Sequence, residues 1–247
     1  MVTNSLGRIR DLIDPTALIG DQSAGYLDLL PPAPDQPQRA AQRAMNNPLV
    51  AAVYEGPWRQ GQAFLYTGMT PSGERRRASQ ALRLRDSQLL LDVACGPGNF
   101  TQFLSEDLDT GGVAIGLDFS VPMLRKAVQD HSGKRVGYVR GDARTLPFED
   151  GAFDAVCCFA ALYLVPEPYK VLDEMIRTLA PGGRIAVMTS CVRGPKPIRW
   201  LSTKLAELQG LHGFERANIT SVLRDARFRN IEQEIRGLSQ FVSATKS

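Results

Sequence analysis

The segment Leu89-Leu90-Leu91-Asp92-Val93-Ala94-Cys95-Gly96-Pro97-Gly98-Asn99-Phe100-Thr101 decides the fold. Leu89–Val93 is a short run, apolar but for Asp92, closed by a glycine-bearing turn, the pattern of a strand buried on both faces. The glycines let a ligand approach the backbone, and the start of the following helix favours an anionic group. A dinucleotide fingerprint requires glycines at its first, third and sixth positions. Counted from Gly96 the sixth position is Thr101, and counted from Ala94 it is Asn99, which weakens a nicotinamide-dinucleotide reading.

Outward from this turn the same rhythm repeats. Val113–Leu117 reads as a second strand ending at Asp118. Ser120 then reads as an N-cap, with Pro122 in the first turn and an apolar face at Met123, Leu124, Ala127 and Val128. Val136–Val139 and Phe153–Cys158 are the third and fourth strands. A helix over 168–179 carries Val171, Leu172, Met175, Ile176 and Leu179 on one stripe, Pro181-Gly182-Gly183 stops it, and Arg184–Met188 is the fifth strand. Ile231–Arg236 and Leu238–Ala244 are alternating runs joined at Gly237, a hairpin, so the sheet should finish with an antiparallel strand. Strands alternating with amphipathic helices predict an α/β, doubly wound, mostly parallel sheet.

Three polar markers fall at consecutive strand ends. They are the Asp92–Gly98 turn, Asp118, whose carboxylate can accept from both hydroxyls of a ribose, and Gly141-Asp142-Ala143, where an aspartate can take an adenine amine. In an open parallel sheet these ends meet in one crevice.

Upstream, residues 1–45 read as an irregular lead-in, with Pro31, Pro32, Pro34 and Pro37 removing backbone donors. Residues 46–85 read as a helical cap, in which Arg75-Arg76-Arg77 opens a helix as an exposed face or an anion contact. Residues 86–247 form the main domain.

The 247-residue composition, 43% hydrophobic and 22% charged, supports a packed core and excludes wholesale disorder. No apolar run reaches the ~18 residues of a membrane span. The N-terminus has no secretory h-region, so a cytoplasmic protein is expected. Cys95, Cys157, Cys158 and Cys191 form no C-x-x-C pair, and with His131 and His212 the sole histidines no metal site is expected; buried free thiols are. Net charge is +3, yet residues 184–247 hold 11 of 29 Lys+Arg against 5 of 26 Asp+Glu. That basic third is a solvated face or a contact for an acidic substrate or RNA.

The motifs DVACGPGNFT, GLDFSVPML, GDARTLPFEDGAFDAV and LDEMIRTLAPGGRIAV, in order over residues 88–190, resemble those of class I S-adenosylmethionine-dependent methyltransferases, especially the ubiquinone/menaquinone-biosynthesis group. The resemblance implies a Rossmann-like seven-stranded sheet with an antiparallel last strand and an S-adenosylmethionine cofactor. By position, Asp92, Ala94, Cys95, Gly96 and Gly98 would wrap the methionine part, Asp118 would hold the ribose, Phe119 and Met123 would flank the adenine, and Asp142 with Ala143 would read its edge. Phe159 joins this cofactor set. Ala94 stands where the family usually has its first glycine.

YLDLLPP (26–32) and NPLVAAVYEGPWRQ (47–60) resemble the lead-in of a subgroup that includes rRNA guanine methyltransferases; Tyr54 and Trp58 are lid residues over the cofactor or packing aromatics. The subgroup's cysteine-rich zinc segment has no counterpart in residues 1–25. After the fourth strand, relatives carry histidines in a pattern like L-H-H-V-P-D-P, where this chain reads Leu162-Tyr163-Leu164-Val165-Pro166-Glu167-Pro168. The catalytic candidates are therefore Tyr163 and, in the segment between helices, His212. His131 reads as a helix C-terminal residue favoured by the dipole.

The expected function is methyl transfer to a small, largely apolar acceptor (aromatic, polyketide or quinone-like). The alternatives are an RNA methyltransferase, disfavoured by the lack of an RNA module, and a non-methylating cyclase or binding protein.

Overall fold

The computed structural model describes residues 3–15, 24–30 and 70–247. Its centre is an eight-stranded sheet. The strands are β1 (Leu27–Asp28), β2 (Leu89–Val93), β3 (Val113–Asp118), β4 (Val136–Arg140), β5 (Phe153–Phe159), β6 (Leu179–Ser190), β7 (Arg229–Arg236) and β8 (Ser239–Thr245). Their order is β1-β4-β3-β2-β5-β6-β8-β7, parallel throughout except that β8 runs antiparallel to both β6 and β7. The terminal hairpin turns at Gly237 (φ 52°), as the alternating pattern predicts.

The two faces of the sheet follow from the period of two along each strand. Leu91 and Val93 of β2, with Ile185 and Val187 of β6, join the larger core cluster. The intervening Leu90, Ala186 and Met188 join the second. Adjacent Cys157 and Cys158 divide the same way, and all four cysteines are buried and free.

Helices cover both faces. On the larger cluster lie α1 (Thr3–Arg10) through Ile9, α5 (Pro168–Thr178) through Val171, Leu172 and Met175, and α7 (Asn218–Asp225) through Ile219 and Leu223. On the other lie α2 (Pro71–Leu82) through Ala78, Ala81 and Leu82, and α3 (Asn99–Ser105) through Phe100 and Leu104. The helix α4 (Val121–Asp130) buries Leu124 and Ala127 against Tyr138 and Tyr26. The expected N-cap is present: Ser120 Oγ accepts from Met123 N at 3.4 Å, with Pro122 in the first turn. The remaining helix, α6 (Lys196–Leu208), buries none of its residues.

Four expectations are corrected. The sheet has eight strands, not seven, because Leu27–Asp28 adds a parallel edge to β4. Within the lead-in expected to be irregular, Thr3–Arg10 are helical. Strand β6 begins at Leu179 and passes through Pro181-Gly182-Gly183, with a register shift opposite Phe153–Ala155. There, Gly182 N donates to Lys246 O (3.0 Å) and Lys246 N to Gly183 O (2.9 Å), so the last strand's continuation holds the segment extended. Arg75–Arg77 do not open their helix. Thr70 caps it and Pro71 begins it, placing the arginines in the second turn, where Arg77 pairs with Glu234 (3.2 Å) and covers the Phe241 ring. The proline-rich segment, Tyr54, Trp58 and most of the expected cap lie outside the described residues.

Candidate functional site

The carboxyl ends of β2, β3, β4 and β5 converge as expected. After β2 the chain enters the left-handed region at Ala94 (φ 57°), Gly96 (φ 57°) and Gly98 (φ 82°). Cys95 N donates to Leu117 O (3.0 Å), which ties the turn to the end of β3. The two glycines serve different ends. A Cβ on Gly98 would stand 2.3 Å from Tyr138 Oη, so that glycine permits close packing. A Cβ on Gly96 would meet nothing within 4 Å, so that position borders open space a ligand can use.

Asp118, half-buried at the end of β3, braces this turn. Its Oδ2 accepts from Gly96 N and its Oδ1 from Ser120 N, both at 2.8 Å. Each oxygen keeps lone-pair capacity beyond these bonds, enough for two hydroxyls of a ribose. Burial pushes its carboxyl above the ordinary range, and the backbone donors of Ser120 and Gly96 oppose that. Phe119 is 41% exposed beside it, and Met123, in the first turn of the following helix, is buried. The donor set and the open face at Gly96 fit an adenosine-bearing cofactor.

Asp92 is different in kind. It is 2% exposed, accepts from Thr101 Oγ1 at 2.7 Å and from Cys157 Sγ at 3.6 Å, and has no cationic partner in these bonds. Burial raises its pKa from 3.8 to about 7, against the lowering effect of those two donors. Cys95 is buried beside it, and desolvation raises its thiol well above the usual value.

Asp142 follows β4, but its carboxylate is already engaged. Arg144 Nε and Nη2 reach it at 3.0 and 2.7 Å, and Arg144 N donates to Oδ1 at 2.8 Å. Burial works against its charge, yet the Arg144 bonds outweigh it and hold the pKa low. An adenine amine reaching Asp142 would have to share it with Arg144, which also pairs with Glu167 at 3.2 Å. Ala143 is buried next to it. Phe159, the last residue of β5, is 8% exposed and sits between Phe100 (5.0 Å) and Phe241 (5.7 Å), forming wall rather than open surface.

A cavity of about 760 Å³ lies beyond the end of β5, lined by Val165, Glu167, Pro168, Tyr169 and residues 207–212. His212 is part of this lining, its ring 4.7 Å from Phe214 and 5.7 Å from Tyr169. Tyr163 is half-buried against the larger core cluster, and its carbonyl accepts from His212 N at 2.8 Å. The structure therefore joins the two catalytic candidates through the backbone and puts only His212 in the lining. Tyr169 and Glu167 were missed by the sequence reading. Their signal was position: both flank the first residue of the helix after β5, at the crevice end of the sheet. Burial raises the Tyr169 phenol, and Glu215 adds to that. His131 caps α4, with Nδ1 2.5 Å from Gln102 Oε1.

Among the described residues, no group of three or more His, Cys, Asp or Glu could hold a metal ion, and no helix is long and apolar enough to cross a membrane.

Comparison with known proteins agrees with this geometry. Residues 91–187 match the methyltransferase domain family. The demethylmenaquinone methyltransferase of Lactiplantibacillus plantarum is 37% identical over 144 residues, 55% of this chain and 61% of that protein. The chain spans less than two thirds of the length of this and the other curated relatives it matches. Among solved structures, phosphoethanolamine N-methyltransferase 2 of Haemonchus contortus, in complex with S-adenosyl-L-methionine, has a TM-score of 0.68 at 17% identity, covering 87% of this chain and 61% of that one. A SAM-dependent methyltransferase from Aquifex aeolicus gives 0.60 at 18% identity, covering 81% and 99%. At these identities the two structures show a shared fold.

Proposed function

We propose that this chain, whose residues 91–187 are a methyltransferase domain of the class I, Rossmann-like kind, transfers a methyl group from S-adenosylmethionine to a small, largely apolar, quinone-like acceptor. The observation that carries the cofactor assignment is Asp118, braced by Gly96 N and Ser120 N beside the open face of Gly96. The likeness to a demethylmenaquinone methyltransferase supports the acceptor class.

In this reading Asp118 holds the ribose, Phe119 lies against the adenine, and the Ala94–Gly98 turn borders the methionine part. The cofactor, when bound, supplies a methyl group on a sulfonium, already activated for in-line displacement. The protein then needs to align the acceptor and exclude water, and proximity alone supplies much of the acceleration. The cavity near β5 has a volume within the ~300–1,000 Å³ typical of small-molecule sites. Its Tyr169, Leu208 and Leu211 offer apolar contact, and His212 in the same lining is the candidate base for an acceptor hydroxyl.

No observation favours RNA as the acceptor. Several residues of the basic C-terminal third are engaged within the fold: Arg184 on Ala81 O (2.8 Å), Arg199 near Glu215 (3.8 Å), and Lys246 on the carbonyls of Ile176 and Leu179.

Calorimetric titration with S-adenosylmethionine, S-adenosylhomocysteine and NAD tests the cofactor. The sulfonium pair should bind, and Asp118→Ala should weaken it by roughly ten- to a hundredfold, the worth of about 1.5–3 kcal/mol of charge-assisted hydrogen bonding. Binding of NAD alone, or unchanged affinity in the variant, would overturn the assignment. With a quinol acceptor and labelled methyl donor, His212→Ala should lower kcat; normal turnover removes His212 from the mechanism.

A further inference from the structure

The Tyr26-Leu27-Asp28 motif of the lead-in has no part in the function described above, yet it packs against β4 and the turn after β2. Tyr26 is 4% exposed among Cys95, Leu124, Ala127 and Tyr138, and Leu27 is fully buried. Leu27 and Asp28 pair in register with Val139 and Arg140, and Leu29 N donates to Arg140 O at 3.0 Å.

Arg140 is the unusual residue here. It is the last residue of β4, in register with Asp118 of β3, and only 5% exposed. A buried guanidinium needs a counter-charge and partners for its fork of donors. Asp28 supplies the charge, with both oxygens 3.0 Å from Nη1. Nε points the other way and donates to Phe119 O at 3.3 Å, while the guanidinium carbon stands 5.9 Å from the Phe119 ring centroid. One cation thus links the edge strand to the residue that follows Asp118. Phe119 itself is 41% exposed, and Arg140 stands beside its ring.

We propose that Asp28 and Arg140 are positioning residues for cofactor binding: the edge strand β1 fixes Arg140, and Arg140, through its bond to the Phe119 carbonyl, fixes the Phe119 ring where the adenine lies. The proposal rests on the S-adenosylmethionine reading. It makes the lead-in strand part of the cofactor site although it touches no cofactor atom. Asp28→Asn keeps a hydrogen-bonding side chain but leaves the buried cation without its counter-charge. Arg140→Lys keeps a cation but cannot hold Asp28 and the Phe119 carbonyl at once, because it lacks the fork.

The test is calorimetry with S-adenosylhomocysteine on the full chain, on Asp28→Asn, Arg140→Lys and Phe119→Ala, and on the double variant Arg140→Lys/Phe119→Ala, each first checked for a cooperative melt. Asp28→Asn and Arg140→Lys should each weaken binding, by roughly tenfold for loss of one oriented contact. The double variant should bind no more weakly than Phe119→Ala alone, because Arg140 acts through Phe119. A merely structural role gives losses that multiply, and that result overturns the proposal. Should Arg140→Lys fail to fold, Asp28→Asn in the Phe119→Ala background closes the same cycle from the half-buried end of the pair. Wild-type affinity in Asp28→Asn and Arg140→Lys also overturns it, leaving the cofactor reading intact. No binding by the wild-type chain overturns the cofactor reading and this proposal with it.

Discussion

Asp92→Asn should change how stability depends on pH, and the burial of the carboxyl sets the sign. The Asp92 carboxyl is buried, takes one hydroxyl and one thiol donor, and titrates near 7 in the folded protein instead of 3.8. Between these values the folded state holds a proton that the unfolded state has released, so stability falls as pH rises. Below about pH 4 the side chain is protonated in both states and costs nothing electrostatically. Above about pH 7 the full cost is present, about 4 kcal/mol for a displacement of this size. Asparagine has the same shape, can accept from Thr101 and does not titrate. Its amide facing Cys157 adds an offset, but one that is independent of pH. Urea unfolding of both proteins at intervals from pH 4.5 to 8 isolates the effect. The variant should gain on the wild type by several kcal/mol across that range, most steeply between pH 5 and 7. Parallel profiles would refute the claim that burial raises the Asp92 carboxyl to about 7.

The glycines of the turn should respond unequally to alanine. Gly96→Ala, at φ 57° with open space around its Cβ, should lose only the ~1 kcal/mol of a left-handed L-residue. Gly98→Ala drives a Cβ to 2.3 Å from Tyr138 Oη and should lose at least about 2 kcal/mol, so equal melting temperatures would dismiss the Tyr138 contact. Ala94→Val puts a β-branched residue at φ 57° and should destabilise by more than ~1 kcal/mol, whereas Ala94→Gly should be neutral or slightly stabilising. A valine variant as stable as the wild type would mean that the turn relaxes out of the left-handed region.

Much of this architecture was legible because local pattern and tertiary role coincide. The run Leu89–Val93 is apolar but for Asp92 because both of its faces are covered, and Ser120-Val121-Pro122 announces a helix start that needs no tertiary support. What was illegible depends on partners distant in sequence. The two residues of β1 are too few to show alternation, and their pairing depends on Arg140, 112 residues away. Pro181-Gly182-Gly183 reads as a stop signal, yet Lys246 from the other end of the chain holds it in the sheet. In the candidate site, the place of Asp118 at a strand end is readable from the pattern. That Asp142 is taken up by Arg144 is not, since a carboxylate two residues before an arginine carries no sign of their geometry.

Ala94 bears directly on whether the cofactor turn is intact, because the family it resembles usually has glycine there. The structure shows the turn formed with alanine, at a backbone angle inside the small left-handed region open to L-residues. A second alanine, Ala160, does the same at the end of the neighbouring strand β5, at φ 56°. Each is held by a backbone bond to the next strand: Cys95 N to Leu117 O at 3.0 Å after β2, and Ala160 N to Met188 O at 2.8 Å after β5. Strained residues persist only where their surroundings over-determine them, and here the sheet supplies that constraint at its switch point. The left-handed turns are therefore held by strand packing. Alanine in place of glycine at position 94 then costs at most about 1 kcal/mol of stability and leaves the Gly96 N to Asp118 bond formed.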